Sequence, residues 1–175
     1  MRFTLIAAQS LDGFITHHDT PGSAFASAAD RAFFREALRG FDCCVMGGAT
    51  YRTARESIRG GLMPDRLRLI VTRSPKTYAH ETIPGKLEFV TGKPGDVANI
   101  FEDRGLKACA ILGGSQVHSL FLDAGLVDEL WITIEPLLFG GGTPLLANHT
   151  TTKLKLLSQE NLAADTLLLK YRVAK

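Results

Sequence analysis

The sequence predicts an α/β fold in which a mostly parallel central sheet is flanked by helices and carries antiparallel strands toward its C-terminal end. Two observations predict it. In the first two-thirds of the chain, short apolar strands alternate with amphipathic helices, and glycines separate them, as is typical of parallel βαβ units. In the last third, strand-like segments follow one another without a helix, which favours antiparallel pairing.

The chain begins with a strand, a polar loop and a helix. Phe3 to Ala8 is apolar enough for a strand, and a brief extended run resumes after the Asp12-Gly13 turn. The polar run from His17 to Ser23 predicts a mobile loop. A helix is predicted from Ser27 to Gly40, because Ser27 and Asp30 have the spacing of a capping box and apolar residues then recur at helical spacing.

The middle of the chain repeats the alternation of strands and helices, with Gly-Gly pairs at several of the turns. The predicted elements are strand Cys43–Met46, helix Ala49–Ile58, strand Leu67–Val71, strand Leu87–Val90, helix Val97–Asp103, strand Ala108–Leu112 and a helix whose buried face carries Val117, Leu120, Phe121 and Ala124.

The last third is predicted to contain strands alone. Leu130 to Leu138 is a long strand in which alternate residues belong to opposite faces. Gly140 to Gly142 forms a loose loop, and Lys153–Ser158 and Thr166–Val173 are two further strands. These segments add an antiparallel part to the sheet.

Composition indicates one ordinary globular domain that spans residues 1–175. The chain is 45% hydrophobic and 22% charged, and its net charge of +2 is too small to favour nucleic-acid or membrane-surface binding. The 3 cysteines form no CxxC motif and are expected as buried free thiols. Without a signal peptide or a span-length apolar segment, a cytoplasmic protein is expected.

A local basic segment stands out against this near-neutral background. Seven basic residues lie between Arg52 and Lys76, against only Glu56 and Asp65. Such a patch suits a small anionic ligand better than a polyanion, although a solvated helix face followed by a turn explains it equally well.

The sequence lacks several common site motifs but has two similar glycine junctions. The sequence contains none of four common motifs: GxGxxG after the first strand, GxxxxGK[ST], HExxH and GxSxG. No metal site is predicted, because His17-His18-Asp19 lies on a polar loop rather than in a metal-ligand pattern. Gly47-Gly48 and Gly113-Gly114 each stand between a strand end and a helix start. Both junctions let a phosphate approach a helix N-terminus, and together they favour a dinucleotide, although Gly-Gly also serves as a plain tight turn.

The order of five segments resembles the dihydrofolate-reductase-like superfamily, over nearly the whole chain. The similarity is greatest to the branch that contains the reductase domain of the bifunctional riboflavin-biosynthesis deaminase-reductase. The segments are Ser10–Gly13 (SLDG), Asp42–Tyr51 (DCCVMGGATY), Ile111–Gly114 (ILGG), Gly125–Leu130 (GLVDEL) and Glu135–Gly142 (EPLLFGGG).

This resemblance implies NADPH as the hydride donor, with its pyrophosphate at the two glycine junctions and its 2′-phosphate after the third strand. An arginine flanked by hydroxyls is what a 2′-phosphate requires. The cofactor-binding residues that it implies are Ala8, Gly47, Gly48, Thr50, Thr72, Arg73, Ser74, Gly113, Gly114, Ser115 and Gln116.

For the substrate, the resemblance implies Asp12, Asp30 and Phe34. Asp30 and Phe34 fall on one helix face, and a carboxylate there suits the 2-amino-4-oxo pyrimidine half of a heterocycle, so Asp30 is also the candidate catalytic residue. An acidic residue at this helix position is equally well explained by capping. Glu135 is open to two interpretations, substrate contact or an ordinary exposed or paired strand residue.

The function implied is an NADPH-dependent reductase of a small nitrogen heterocycle, expected to be a homodimer. The leading substrate is 5-amino-6-(5-phosphoribosylamino)uracil, and the alternative is dihydrofolate or another pterin. A nucleotide-binding module without turnover and a cofactor-free interaction domain are alternatives of other classes. The chain departs from the family pattern after SLDG, in residues Thr16 to Ser23, and after the Gly47-Gly48 junction, in residues Arg52 to Arg55. These departures weaken the substrate assignment more than the cofactor assignment.

Overall fold

Eight strands form one sheet in residues 1–148 and 151–174, the part of the chain that the computed structural model describes. The strands are β1 Arg2–Ser10, β2 Cys43–Gly47, β3 Leu67–Val71, β4 Leu87–Val90, β5 Ala108–Ile111, β6 Glu129–Glu135, β7 Leu154–Asn161 and β8 Leu167–Val173. The helices are α1 Ala28–Ala37, α2 Gly48–Gly60, α3 Pro94–Asp103 and α4 Ser115–Asp123, with short 3₁₀ segments at Leu38–Gly40 and Pro75–Glu81.

The sheet order confirms the predicted fold class. The strands follow the order β4-β3-β2-β5-β1-β6-β8-β7. The first six pair in parallel, whereas β8 pairs antiparallel with both β6 and β7. Helical connections cover the parallel part, and hairpin-like connections build the antiparallel end, as the spacing of the sequence predicts.

Two apolar layers pack on opposite faces of the sheet. Phe3 and Phe121 belong to one layer, and Met46 and Tyr51 belong to the other. Neighbouring side chains of a strand alternate between faces, so Cys43 lies in the first layer and Cys44 in the second. All three cysteines are buried free thiols, as expected.

Two strand predictions are wrong in extent. The predicted strand Leu130–Leu138 ends at Glu135, because Pro136 has no N–H to donate to a ladder, and Leu138 is exposed. The extended run after the SLDG turn is reduced to a single bridge between Phe14 and Pro144. The 3₁₀ segment Pro75–Glu81 was not predicted.

None of the helices in the described part of the chain combines the length and apolar character that crossing a membrane requires.

Candidate functional site

A cleft of about 2120 Å³ opens on the face of the sheet that carries α1 and α2. Its walls include residues of both helices, the first turn of α4 and the loop from Ile15 to Ala24. All the sequence-predicted site residues line this cleft except Asp12 and Gly113. We call the part around Gly47, Gly48, Gly114 and Ser115 the glycine end, and the part around Arg66 and Arg68 the arginine end.

The two glycine junctions meet at the carboxyl ends of β2 and β5. These strands are parallel neighbours, and the Gly47 N–H donates a hydrogen bond to the Gly113 carbonyl oxygen at 2.7 Å. The Gly113–Gly114 peptide bond is cis. The prediction that two junctions distant in sequence come together is therefore confirmed, with the Gly47 amide used to join them.

Close packing at the glycine end explains why glycine stands there. A Cβ atom on Gly48 would lie 3.3 Å from Thr72 Oγ1, and one on Gly114 would lie 3.2 Å from Thr50 Oγ1. These distances are tighter than most side chains allow. Without side chains, the backbone leaves the N-termini of α2 and α4 open to a ligand, and the first N–H groups of a helix have no partner within the helix.

Ser115 supplies a buried hydroxyl at the same place. The residue is 7% exposed, it begins α4, and within the described residues its Oγ has no hydrogen-bond partner. A buried hydroxyl without a partner is costly unless a ligand or water binds it. The donor set at this end, helix N–H groups with a free hydroxyl, matches phosphate oxygens.

His118 lies behind the Gly113 corner and was not singled out from the sequence. Its Nδ1 donates to the Leu145 carbonyl at 3.0 Å, so the lone pair is on Nε2, which is buried and has no partner in the described part of the chain. Burial lowers the pKa of His118 to about 4. The imidazole is therefore neutral at pH 7 and adds no positive charge to the site.

The turn after β3 carries Thr72, Arg73 and Ser74 beside the glycine end. The Thr72 N–H donates to the Val90 carbonyl at 2.8 Å, and the Ser74 N–H donates to Thr72 Oγ1 at 3.3 Å, which fixes the turn. Arg73 is exposed on it. Nearby, Arg52 donates to the hydroxyl of Tyr78 at 3.2 Å. The structure thus places the three predicted residues Thr72, Arg73 and Ser74 in the wall of the cleft.

The basic segment divides into residues that pair internally and residues that face the cleft. Arg55 and Arg59 lie 2.8 Å and 3.5 Å from the Glu81 carboxylate. Glu81 is buried and also accepts a hydrogen bond from Tyr51. These two arginines therefore share one buried carboxylate, whereas Arg52, Arg66, Arg68 and Arg73 line the cleft.

Arg66 and Arg68 form the arginine end, at the start of β3. Each is 8% exposed. Arg66 Nε donates to the Phe41 carbonyl at 3.1 Å, Arg68 Nη2 donates to the Gly61 carbonyl at 2.9 Å, and Arg68 Nη1 has no partner among the described residues. Burial, with a smaller contribution from the Arg68 charge, lowers the pKa of Arg66. Two adjacent buried guanidinium groups, which the described residues provide with no paired acid, favour an anionic ligand.

Asp30 lies on α1 with its carboxylate in the cleft wall. Its backbone N–H donates to Ser27 Oγ at 3.1 Å, which confirms half of the predicted capping box. The other half is wrong, because the Ser27 N–H donates to Glu135 Oε1 at 2.7 Å and not to the Asp30 side chain. The Asp30 carboxylate instead accepts a hydrogen bond from Thr133. Its capping role therefore belongs to its backbone.

Several groups act on the ionisation of Asp30. Burial raises its pKa most, the hydrogen bond from Thr133 opposes this, the negative charge of Glu135 raises the pKa further, and Arg31 lowers it. The net effect is a raised pKa, so a larger fraction of Asp30 carries a proton than in an exposed aspartate. Phe34 lines the cleft one helical turn further along α1.

Glu135 is buried rather than exposed. It is 2% exposed, accepts from Thr166 Oγ1 at 3.2 Å in addition to Ser27, and is not among the cleft-lining residues. Of the two interpretations of the sequence, the paired strand residue is the one that the contacts support. Its partners could not be inferred from spacing, because Ser27 is 108 residues away.

Asp12 lies outside the cleft and ties two loops together. Its carboxylate accepts from Ser10 Oγ at 2.6 Å, Gly140 N–H at 2.7 Å and Phe139 N–H at 3.1 Å. The hydrogen bond from Ser10, followed by that from Gly140, lowers the pKa of Asp12 to about 2. The structure therefore links the SLDG turn to the glycine-rich loop, and substrate binding by Asp12 stays a prediction.

Comparison with known proteins gives the family and the fold of this chain. The model of the RibD C-terminal domain matches residues 3–168. The uncharacterized protein YwjB of Bacillus subtilis (strain 168) is 28% identical over 159 residues, which make up 86% of this chain and 87% of YwjB.

Two solved structures show the same fold. A diaminohydroxyphosphoribosylaminopyrimidine deaminase/5-amino-6-(5-phosphoribosylamino)uracil reductase from Thermotoga maritima has a TM-score of 0.80 at 18% identity, over 99% of this chain and 56% of that chain. Dihydrofolate reductase from Enterococcus faecalis, complexed with NADP(H) and RAB-propyl, has a TM-score of 0.66 at 21% identity, over 99% and 97%. The predicted dihydrofolate-reductase-like fold is thus confirmed.

Proposed function

This chain belongs to the RibD C-terminal domain family, a family of pyrimidine-reductase-like oxidoreductases, and from that premise we propose that it is an NADPH-dependent reductase of a small nitrogen heterocycle. The observation that carries the proposal is the glycine end. There, two helix N-termini, two glycines with little space for a Cβ, and the Ser115 hydroxyl, which has no partner among the described residues, converge beside the cleft.

These groups fit the diphosphate of a dinucleotide. The N–H groups at the starts of α2 and α4 would bind phosphate oxygens, the Ser115 hydroxyl would donate to one of them, and the absence of side chains would allow close approach. Thr50 lies beside Gly114, Gln116 follows Ser115, and both line the cleft together with Ala8. When bound, NADPH supplies the hydride, and the protein orients the acceptor and excludes water.

Arg73 is proposed to select NADPH over NADH. It lies on the cleft-lining turn with Thr72 and Ser74, and within the described residues no carboxylate pairs with it. A guanidinium beside two hydroxyls suits a 2′-phosphate. We expect Arg73→Ala to weaken NADPH binding on the order of tenfold, because a hydrogen bond to a charged group contributes about 1.5 kcal/mol or more, and to leave NADH binding unchanged. Equal losses for both nucleotides would contradict this role.

The acceptor that we propose is 5-amino-6-(5-phosphoribosylamino)uracil. The arginine end supports a phosphorylated acceptor, because two buried guanidinium groups suit a doubly charged group. The structurally similar Thermotoga maritima protein is named as a reductase of this compound. Asp30 and Phe34, which line the same cleft, would contact the heterocycle.

Asp30 is proposed to act as the proton donor. In the phosphoribosylamino acceptor, the C1′–O4′ bond of the ribose would open first, and the proton of the attached nitrogen would pass to O4′, which leaves a C1′=N bond. As hydride from NADPH adds to C1′ and the π electrons pass to the nitrogen, the protonated Asp30 carboxyl would give that nitrogen a proton. Asp30 would be left as a carboxylate and would regain its proton from solvent. The raised pKa of Asp30 suits this role.

A pterin such as dihydrofolate is the second candidate acceptor. It is favoured by Asp30 and Thr133 together, because a carboxylate held by a hydroxyl matches the amino group and ring nitrogen of a 2-amino-4-oxo pyrimidine.

Purified protein given NADPH and each acceptor in turn separates these candidates. We expect nicotinamide absorbance to fall with the phosphoribosylamino-uracil and far less with dihydrofolate. Loss of absorbance with dihydrofolate alone would select the second candidate. NADPH binding without oxidation would leave a nucleotide-binding module, and absence of a thermal shift with NADPH at low salt would leave a cofactor-free domain.

We further propose that the protein acts as a homodimer in the cytoplasm. Buried free thiols suit a reducing compartment. Leu154, Leu156, Leu157 and Leu167 leave apolar surface exposed on β7 and β8, which a second copy would cover. Light scattering should give twice the chain mass, and a monomer at micromolar concentration would contradict the dimer.

A further inference from the structure

We propose that Glu135 is a positioning residue for the proposed reaction: it closes the capping box of α1 in place of Asp30 and thereby leaves the Asp30 carboxyl in the cleft as a proton donor. This inference rests on the proposed function, because it assigns the group that prepares Asp30. Glu135 itself does not line the cleft and is not proposed to touch the acceptor.

The Asp30 side chain does not make the hydrogen bond that its position in the helix favours. In a capping box, the side chain of the third helical residue accepts from the backbone N–H of the N-cap residue. Here Ser27 is the N-cap and Asp30 has the required spacing, but the Ser27 N–H donates to Glu135 Oε1 at 2.7 Å. A strand thus supplies the acceptor that the helix would otherwise take from its own first turn. The Asp30 carboxylate is freed for the cleft.

The Glu135 carboxylate is held by hydrogen bonds to both of its oxygens. Its other oxygen, Oε2, accepts from Thr166 Oγ1 at 3.2 Å, and the side chain is 2% exposed. Pro136 follows it and ends β6. The carboxylate is therefore fixed between β6, the start of β8 and the start of α1, and cannot rotate into the cleft without losing both hydrogen bonds.

Glu135 lies on the same face of β6 as Thr133, the residue that contacts Asp30. Thr133 and Glu135 are two residues apart on β6, so both side chains are on the face that carries α1. Thr133 donates to the Asp30 carboxylate, and Glu135 holds the helix end that carries it. One face of one strand therefore sets both the hydrogen bond and the location of the proton donor.

The charged groups that act on Asp30 are Glu135 from β6 and Arg31 from α1 itself. Arg31 also donates to the Ala26 carbonyl. A second carboxylate nearby disfavours ionisation of the first, and Arg31 opposes this. The negative charge of Glu135 thus adds to burial in keeping a proton on Asp30.

Glu135→Gln is the decisive variant, because it removes the charge and keeps a carbonyl oxygen for the Ser27 N–H. Carbon NMR of protein labelled at the Asp carboxyl carbons would follow the titration of Asp30 without ligand, and Asp30→Asn would identify its signal. We expect the Asp30 pKa to fall in Glu135→Gln. Each unit of that fall lowers the protonated fraction at neutral pH about tenfold. The alkaline limb of the kcat/KM profile should move to lower pH by the same amount.

Two further variants separate charge from reach. Glu135→Asp keeps the charge but is one methylene shorter, so the Asp30 titration should stay near that of the wild type while amide exchange at the start of α1 becomes faster. Glu160→Gln, on β7, removes an exposed carboxylate outside the cleft and should change neither measurement.

An unchanged Asp30 pKa in Glu135→Gln would overturn the proposal. If that variant does not fold, a wild-type Asp30 that titrates at or below the ordinary aspartate value would overturn it as well. The NMR titration needs no turnover. Failure of the wild type to oxidise NADPH with either proposed acceptor would therefore contradict the proposed function but leave the measured effect of Glu135 on Asp30 intact.

Discussion

The glycine end and the arginine end of the cleft are both suited to anions, but they achieve this by different means. At the glycine end, backbone N–H groups of helix starts do the binding and side chains are absent. At the arginine end, Arg66 and Arg68 place two guanidinium groups in the protein interior. Helix starts leave their N–H groups unpaired in any case, so the first arrangement costs the fold little, whereas buried unpaired charge is expensive.

Because they are suited to anions by different means, the two ends should respond differently to substitution. Changes at the glycine end should reduce binding by filling space. Changes at the arginine end should reduce binding by removing charge and should relieve a cost to stability. Asp30 belongs to neither end, and its substitution should act mainly on the chemical step.

Asp30→Asn should have the largest effect. Because an amide cannot donate the proton that a carboxylic acid donates, kcat should fall about 10²–10⁴-fold, the usual range for general acid catalysis. NADPH affinity should change little, since Asp30 is not among the residues proposed to bind the cofactor. Stopped-flow measurement of NADPH oxidation and a separate fluorescence titration of NADPH would check both. A loss of less than about fivefold in kcat would remove Asp30 from the chemistry.

Gly48→Val should reduce NADPH affinity about 100-fold, or about 2.7 kcal/mol. The new side chain would meet Thr72 Oγ1, which is only 3.3 Å from the Cβ position, and would cover the start of α2. Isothermal titration with NADPH measures the loss. Gly60→Ala, at the end of the same helix with no atom within 4 Å of its Cβ position, is the matched control and should bind normally. Normal NADPH binding by Gly48→Val would remove the glycine end as the phosphate site.

Arg68→Met should raise KM for a phosphorylated acceptor about tenfold while the midpoint of thermal unfolding stays level or rises. The loss follows from the missing charge, and the stability follows because a buried guanidinium nitrogen without a partner is replaced by an apolar group. Arg172→Met is the control, because Arg172 is an exposed residue of β8 that does not line the cleft. A fall in stability with an unchanged KM would make Arg68 a structural residue, and the two ends would no longer be comparable.

Asp12→Asn should have the smallest effect, a loss of stability that disappears in acid. The pKa of Asp12 is lowered from 3.8 to about 2 in the folded chain, so its stabilising effect is complete above about pH 4 and is lost as the pH falls through 2. The variant should unfold at a lower temperature than the wild type near pH 5, and the difference should shrink toward pH 2. Thermal unfolding across this range tests it. A constant difference would show that the Asp12 charge does not hold the two loops together.

Much of the sheet and of the glycine end could be predicted from local sequence. Strand–glycine–helix spacing gives the parallel strands, and a parallel sheet brings Gly47 and Gly113 to one edge. Local signals also gave the Ser27 cap. In each case the residues that decide the outcome are close in sequence or are brought together by the fold class itself.

The remainder depends on contacts between distant segments. Glu135 takes the capping role that spacing assigned to Asp30, because β6 brings it to Ser27 from 108 residues away. Arg66 and Arg68 were visible only as part of a basic segment, and their burial depends on the helices that cover the start of β3. Likewise, the pairing of Arg55 and Arg59 with Glu81 depends on an unpredicted 3₁₀ segment.

The central place of β1 affects how this chain is made. β1 is synthesised well before both of its neighbours: Leu5 pairs with Ile111 of β5 and with Leu130 of β6. At ordinary rates of synthesis, nascent β1 must wait on the order of ten seconds as an apolar strand that is open on both edges. Chaperones that shield emerging hydrophobic segments should therefore bind this region first, and translation slowed before residue 130 should increase aggregation.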